Sequence, residues 1–131
     1  MSDLDEGLKP FLLVSLGAVI GACIRMHFVS YLGATFPRKY FGTFVVNTSA
    51  TFGLGLVLSL SSQAGLPNNS SPLLLLVCVG FLGSLSTFSA FVLELLDTFF
   101  ERRWQEGFLL AVISLLGGLM AAALGYGLGN G

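Results

Sequence analysis

Apolar residues gather in four long runs, at about 11–32, 41–60, 73–100 and 107–128, divided by short stretches that hold most of the charge. Each run is close to or above the ~20 residues an α-helix needs to cross the hydrocarbon core of a bilayer. The pattern predicts an all-α integral membrane protein of four transmembrane helices, one unit over residues 1–131, with no separate soluble domain. The third run is too long for a level span at ~1.5 Å per residue, so a tilt, a break or an emergence near Glu94 is expected.

Small and polar residues differentiate the runs. In the first, Gly17 and Gly21 have the spacing that lets another helix come close. Arg25 follows them, a guanidinium that must either snorkel to the membrane edge or find acceptors inside the protein. His27 is expected at the interface, with no second metal ligand beside it. The second run carries Thr43, Asn47 and Thr51 at intervals of four, one polar stripe along an otherwise apolar helix. That stripe suits either interhelical hydrogen bonding or pore lining, and Asn47 brings two N–H donors that an anion can use.

In the third run, the stretch from Gly80 to Phe91 mixes glycines, hydroxyls and phenylalanines without a charge. Glycine permits close approach or a helix break there, and Ser and Thr can donate to the carbonyls a break frees. Phe88 and Phe91 share one helical face, Ser84 and Thr87 a neighbouring one, and the stretch is read as lining an ion path. Glu94 and Asp97 are expected as a solvated pair at the interface. The last run reads as a packing helix, with Gly117, Gly118, Ala121, Ala122 and Gly125 on a small-residue face and Ser114 its one central hydroxyl.

Composition narrows the function. Hydrophobic residues make up 54% and charged residues 10%, with mean hydropathy +0.86, against ~25% charged in soluble domains. A net charge of −1 with no basic stripe excludes nucleic acid as a partner. The acidic start, Met1 to Pro10, has the wrong flank for a cleavable signal peptide. Cys23 and Cys78 lie inside runs and form no CxxC, so they are expected to be buried apolar residues. No Ser/His/Asp or Cys/His set and no phosphate-cradling loop is present, which argues against an enzyme. Arg38, Lys39, Arg102 and Arg103 fall in loops on one face and Lys9 on the other, a modest bias towards cytoplasmic loops and outside termini.

For transport, no span places a carboxylate near the bilayer centre, as a cation or proton-coupled carrier needs. The spans offer donors instead: Asn47, hydroxyls, Arg25 and the positive edges of phenyl rings. Dehydrating a small anion costs tens of kcal/mol in a low dielectric, so several weak donors must replace water together. The residues alone point to a small anion.

Two motifs go further. Gly42-Thr43-Phe44-Val45-Val46-Asn47 and Gly80-Phe81-Leu82-Gly83-Ser84-Leu85-Ser86-Thr87-Phe88-Ser89-Ala90-Phe91-Val92-Leu93-Glu94 resemble the signatures of the CrcB/Fluc fluoride channels, and Gly21 to Arg25 resembles that family's Gly-x-x-x-Arg. The resemblance covers all four spans. It implies passive fluoride export that relieves toxicity, across a bacterial plasma or inner membrane, by an antiparallel dimer with two pores and a break in the third helix. It assigns Asn47, Phe88 and Phe91 to the fluoride path, and Thr43, Thr87, Ser89 and Ser114 to a polar track. Arg25 and Glu94 match charged positions near helix ends. Gly83 and Ser86 would offer backbone carbonyls to a central structural sodium ion, Na+.

The chain departs from the family pattern at Ala90, where Thr is frequent, at Gly118, where a hydroxyl is common, and in lacking a tyrosine near the start of segment four. Fluoride and membrane lipid are the expected partners, with either a homodimer or a heterodimer with an oppositely oriented paralogue. The rival reading, a small dual-topology multidrug exporter, wants an acid in segment one where this chain has Arg25.

Overall fold

The computed structural model describes residues 2–38, 40–66 and 71–131; Lys39 of the basic connection and residues 67–70 of the proline-bounded loop lie outside the described residues. All regular structure among the described residues is helical, and four stretches are long and apolar enough to cross a membrane, as predicted. They are α1 (Ser2–Thr35), α2 (Tyr40–Gln63), a third span over Pro72–Phe100, and α5 (Trp104–Asn130). The third span is in two pieces, α3 over residues 72–85 and α4 (Phe88–Phe100).

The helices overrun the apolar runs. With 34 residues, α1 is about 51 Å long, well beyond the ~30 Å hydrocarbon core. Its first turn holds Asp3 and Asp5, which the positive end of the helix dipole favours, so the helix starts before Pro10 and not after it. At the other end of α2, Gly65 takes φ 67°, and Leu66 N–H reaches back to the Ser61 carbonyl at 3.1 Å. This left-handed stop suits glycine, which has no Cβ to clash. The turn from α4 to α5 repeats it with Arg102 at φ 59° and Arg103 N–H bonded to the Thr98 carbonyl at 3.0 Å.

Two glycine seams hold the helices together. Along the first, Gly17 of α1 faces the Leu76 carbonyl, and a Cβ on Gly80 would lie 2.6 Å from the Val14 carbonyl oxygen. Eight residues of α3, Leu75–Leu82, are wound as a π-helix beside that contact. Along the second, a Cβ on Gly55 of α2 would overlap the Ala122 carbonyl oxygen, and one on Gly125 of α5 the Phe52 carbonyl oxygen. The spacing predicted for Gly17 and Gly21 therefore meets α3, and Gly125 of the predicted small face meets α2. Large apolar side chains such as Leu16, Val19, Leu115 and Leu119 point outward, where a membrane protein meets lipid. Cys23, expected to be buried, is on the exposed side of α1.

The seam makes a contrast between two glycines of one helix. Gly125→Ala should lower stability by about 1–3 kcal/mol, because the added methyl meets backbone that cannot yield. Gly127→Ala, with nothing within 4 Å of its new methyl, should leave stability unchanged or raise it by up to about 1 kcal/mol. Thermal unfolding in detergent followed by circular dichroism reads both; equal melting of the two variants would contradict the seam.

Candidate functional site

The break in the third span falls at Ser86 and Thr87, which are extended at φ −72°, ψ 150° and φ −143°, ψ 120°. An opened helix inside a membrane exposes peptide groups that lipid cannot satisfy. Here a side chain from α2 closes them: Asn47 Nδ2 donates to the Thr87 carbonyl at 3.0 Å, and Thr87 N–H donates to Asn47 Oδ1 at 2.7 Å. A primary amide carries the same donor and acceptor as a peptide, so one residue meets both needs. Thr87 then caps the restarted helix, its hydroxyl accepting from Ala90 N–H at 3.4 Å.

Diverting Thr87 N–H to Asn47 has a second effect. That N–H would have bonded the Gly83 carbonyl in an unbroken helix. Among the described residues, that carbonyl is left with the Ser86 hydroxyl, at 3.4 Å. Gly83 is exposed and Ser86 half-buried. Ser84 does not share a face with Thr87 as a continuous helix predicts: its hydroxyl turns to the Phe81 carbonyl beside Gly21 of α1, because the break separates the two residues.

The polar stripe of α2 reaches the third span at a second level. Thr43, 1% exposed, donates to Glu94 Oε1 at 2.6 Å. Thr51 turns back to the Thr48 carbonyl of its own helix at 2.9 Å. Glu94 was expected in a solvated interfacial pair, yet its Oε2 is buried and has no hydrogen-bond partner among the described residues. The cause is register: Phe88, Phe91 and Glu94 recur every three residues on α4, so the carboxylate follows the rings onto the face near α2. That spacing was the available signal for it.

Between α2, α4 and α5 lies a cavity of about 490 Å³ whose lining includes Asn47, Thr87, Phe88, Phe91, Glu94 and Ser114. Phe88 and Phe91 rings sit 6.1 Å apart, centroid to centroid, and tilted by 41°. Phe88 is 77% exposed. Ser114 Oγ is buried without a partner among the described residues. Gly118 also lines the cavity, where a side-chain hydroxyl would extend the polar surface. Thr43 stands behind Glu94 and outside the lining, and Ser89 is exposed, 3.3 Å from the Thr87 hydroxyl. Arg25, half-buried on α1, is not part of this lining and has no hydrogen bond among the described residues.

A smaller cavity of about 250 Å³ opens towards the loops, between the starts of α2 and α5. It shares Tyr40, Phe44 and Leu110 with the larger one and adds Arg38 and Glu106. Arg38 donates to the Tyr40 hydroxyl at 2.9 Å. Glu106 is paired with Arg103 at 2.6 Å, and Arg103 also bonds Glu101. Its hydrogen bond with Glu101 and the charges of Glu101 and Glu106 hold the Arg103 guanidinium above its ordinary pKa. No pattern along the chain foretells this second cavity, because its walls are brought together by the α2–α5 pairing.

The clamp can be tested apart from any transport. Asn47→Ala leaves the Thr87 N–H and carbonyl unpaired and should lower stability by about 2–4 kcal/mol. Hydrogen exchange at the Thr87 amide should quicken in the same variant; unchanged exchange and melting would show that Asn47 does not hold the break.

Comparison with known proteins gives consistent matches. The family model described as CrcB-like protein, Camphor Resistance (CrcB), matches residues 12–126. The chain is 52% identical over 131 residues, the full length of both, to a protein of Prochlorococcus marinus (strain MIT 9313) named Fluoride-specific ion channel FluC 1. It is 48% identical over 118 residues, 90% of this chain and 91% of the other, to a FluC 1 of Parasynechococcus marenigrum (strain WH8102). A FluC 2 of Prochlorococcus marinus (strain NATL2A) is 41% identical over 123 residues, 94% of this chain and 99% of the other.

Proposed function

We propose that this chain, which belongs to the CrcB family, is a passive fluoride-selective channel through which fluoride leaves a bacterial cell across its inner membrane. The observation that carries the reading is the cavity that brings Asn47, Thr87, Phe88, Phe91 and Ser114 together inside the spans. One hydrogen of the Asn47 amide goes to Thr87, which leaves the other for an ion. With it stand the hydroxyls of Thr87 and Ser114 and the positive edges of two phenyl rings. Such weak donors replace hydration only by acting together around an ion small enough to touch several at once. The names of the relatives, all fluoride-specific channels, support fluoride as that ion.

The working unit in this reading is an antiparallel dimer with two pores. Gly83, exposed within a span, and half-buried Ser86 carry the opened backbone, and opened backbone there requires protein or water against it. A second, inverted copy supplies that cover. The partner is this same chain or an oppositely oriented paralogue, and FluC 1 and FluC 2 relatives both occur among Prochlorococcus marinus strains. The carbonyls of Gly83 and Ser86 fit a hard monovalent cation, which favours oxygen ligands of unwound helix. Bound there, sodium would supply positive charge and fix the two breaks against each other.

Reconstitution tests the reading. Proteoliposomes loaded with fluoride should release it as an electrogenic current with sodium present, and no such current would defeat the channel. Phe88→Ile and Phe91→Ile remove the ring edges and should each slow release by about tenfold, equal to roughly 1.4 kcal/mol of lost ion stabilisation. Wild-type rates in both variants would take the rings out of the path.

A further inference from the structure

The cavity between the starts of α2 and α5 has no place in the conduction path described so far. Three observations give it one. It borders the larger cavity, with Tyr40, Phe44 and Leu110 in the lining of both. Phe44 stands at that junction with its ring against Gly117, whose Cβ, if added, would lie 3.1 Å from the ring. The smaller cavity opens at a cation, Arg38, whose guanidinium is held by the hydroxyl of the shared Tyr40 at 2.9 Å. Its other lining charge, Glu106, shares Arg103 with Glu101, while Arg38 has no carboxylate partner among the described residues.

The surrounding backbone adds to this sign. Tyr40 and Phe41 on one wall and Glu106 on the other belong to the first turns of long helices, α2 with 24 residues and α5 with 27, so two positive dipole ends lie at the same loop-side mouth. A positive group at a mouth with low-dielectric walls raises the local concentration of anions.

The geometry points to this cavity as an anion-collecting antechamber, in which Arg38 draws small anions from the loop-side water and delivers them past Phe44 to the ring-lined passage. The inference rests on the fluoride-channel reading and adds a route and a positioning residue to it. Arg38 touches no part of the Asn47–Thr87 clamp, so its charge can be changed without opening the break.

The test is fluoride exchange with equal fluoride on both sides of proteoliposomes, followed with radioactive fluoride, so that capture at either end of a pore slows the measured rate. Arg38→Gln should exchange about three- to tenfold more slowly than wild type at about 10 mM ionic strength. The difference should shrink to under about twofold at about 500 mM, where screening shortens the reach of the charge to a few ångströms. Arg38→Lys, which keeps the charge, should stay close to wild type at both. A ratio of Arg38→Gln to wild type that does not change with ionic strength overturns the antechamber, and so does an Arg38→Lys variant as slow as Arg38→Gln. A wild-type chain that exchanges no fluoride defeats the channel reading and this inference with it, whereas normal wild-type exchange with an unaltered Arg38→Gln defeats this one alone.

Discussion

The reciprocal pair of hydrogen bonds between the Asn47 amide and the Thr87 peptide is the interaction on which the site depends. A helix opened in a membrane leaves strong donors and acceptors without water. Aspartate in place of Asn47 would offer only acceptors, and a hydroxyl would supply one donor from a shorter side chain. Once the amide is in place, three things follow together: the Gly83 carbonyl loses its helical donor, α4 begins at Phe88, and the register of Phe88, Phe91 and Glu94 against α2 is set. The opened backbone, the rings and the carboxylate thus have one structural origin.

The glycine seams make that interaction possible at its working distance. The seams pair α2 with α5 along Gly55 and Gly125 and α3 with α1 along Gly17 and Gly80, and the two pairs meet where Gly42 of α2 lies against Val29 of α1 and Gly53 against Leu82 of α3, which brings Asn47 to Thr87. Lipid gives no hydrophobic drive for helices to associate, so close backbone contact has to supply the attraction. The same division puts the cavities on the α2–α5 side and leaves α1 to brace α3, away from the cavity lining.

Much of this was legible in the chain. Four apolar runs gave four spans, and the interval of four between Thr43 and Asn47 gave a face that does meet the third span. What the runs could not give is where helices end, because a helix outside the hydrocarbon is limited by capping and turn chemistry, as at Gly65, and not by hydropathy. The residue at which the third span opens was hidden for another reason. Neither Ser86 nor Thr87 is a helix breaker like proline, and the group that stabilises their extended backbone lies 40 positions away on another helix. Position along the chain puts Glu94 towards the loop, but the face it occupies, shared with two phenylalanines, decides its surroundings. The loop-side cavity joins residues from 38 to 113, and no local pattern encodes such a meeting.

The direction of synthesis gives the clamp one more meaning. Asn47 leaves the ribosome 40 residues before Thr87, so α2 is made ahead of the segment whose opened peptide it satisfies. The partner group is part of the nascent chain before the weak point of the third span has to leave water, and the penalty for a discontinuous helix need never be met by lipid alone. The order of the spans along the chain is, in this respect, an assembly sequence.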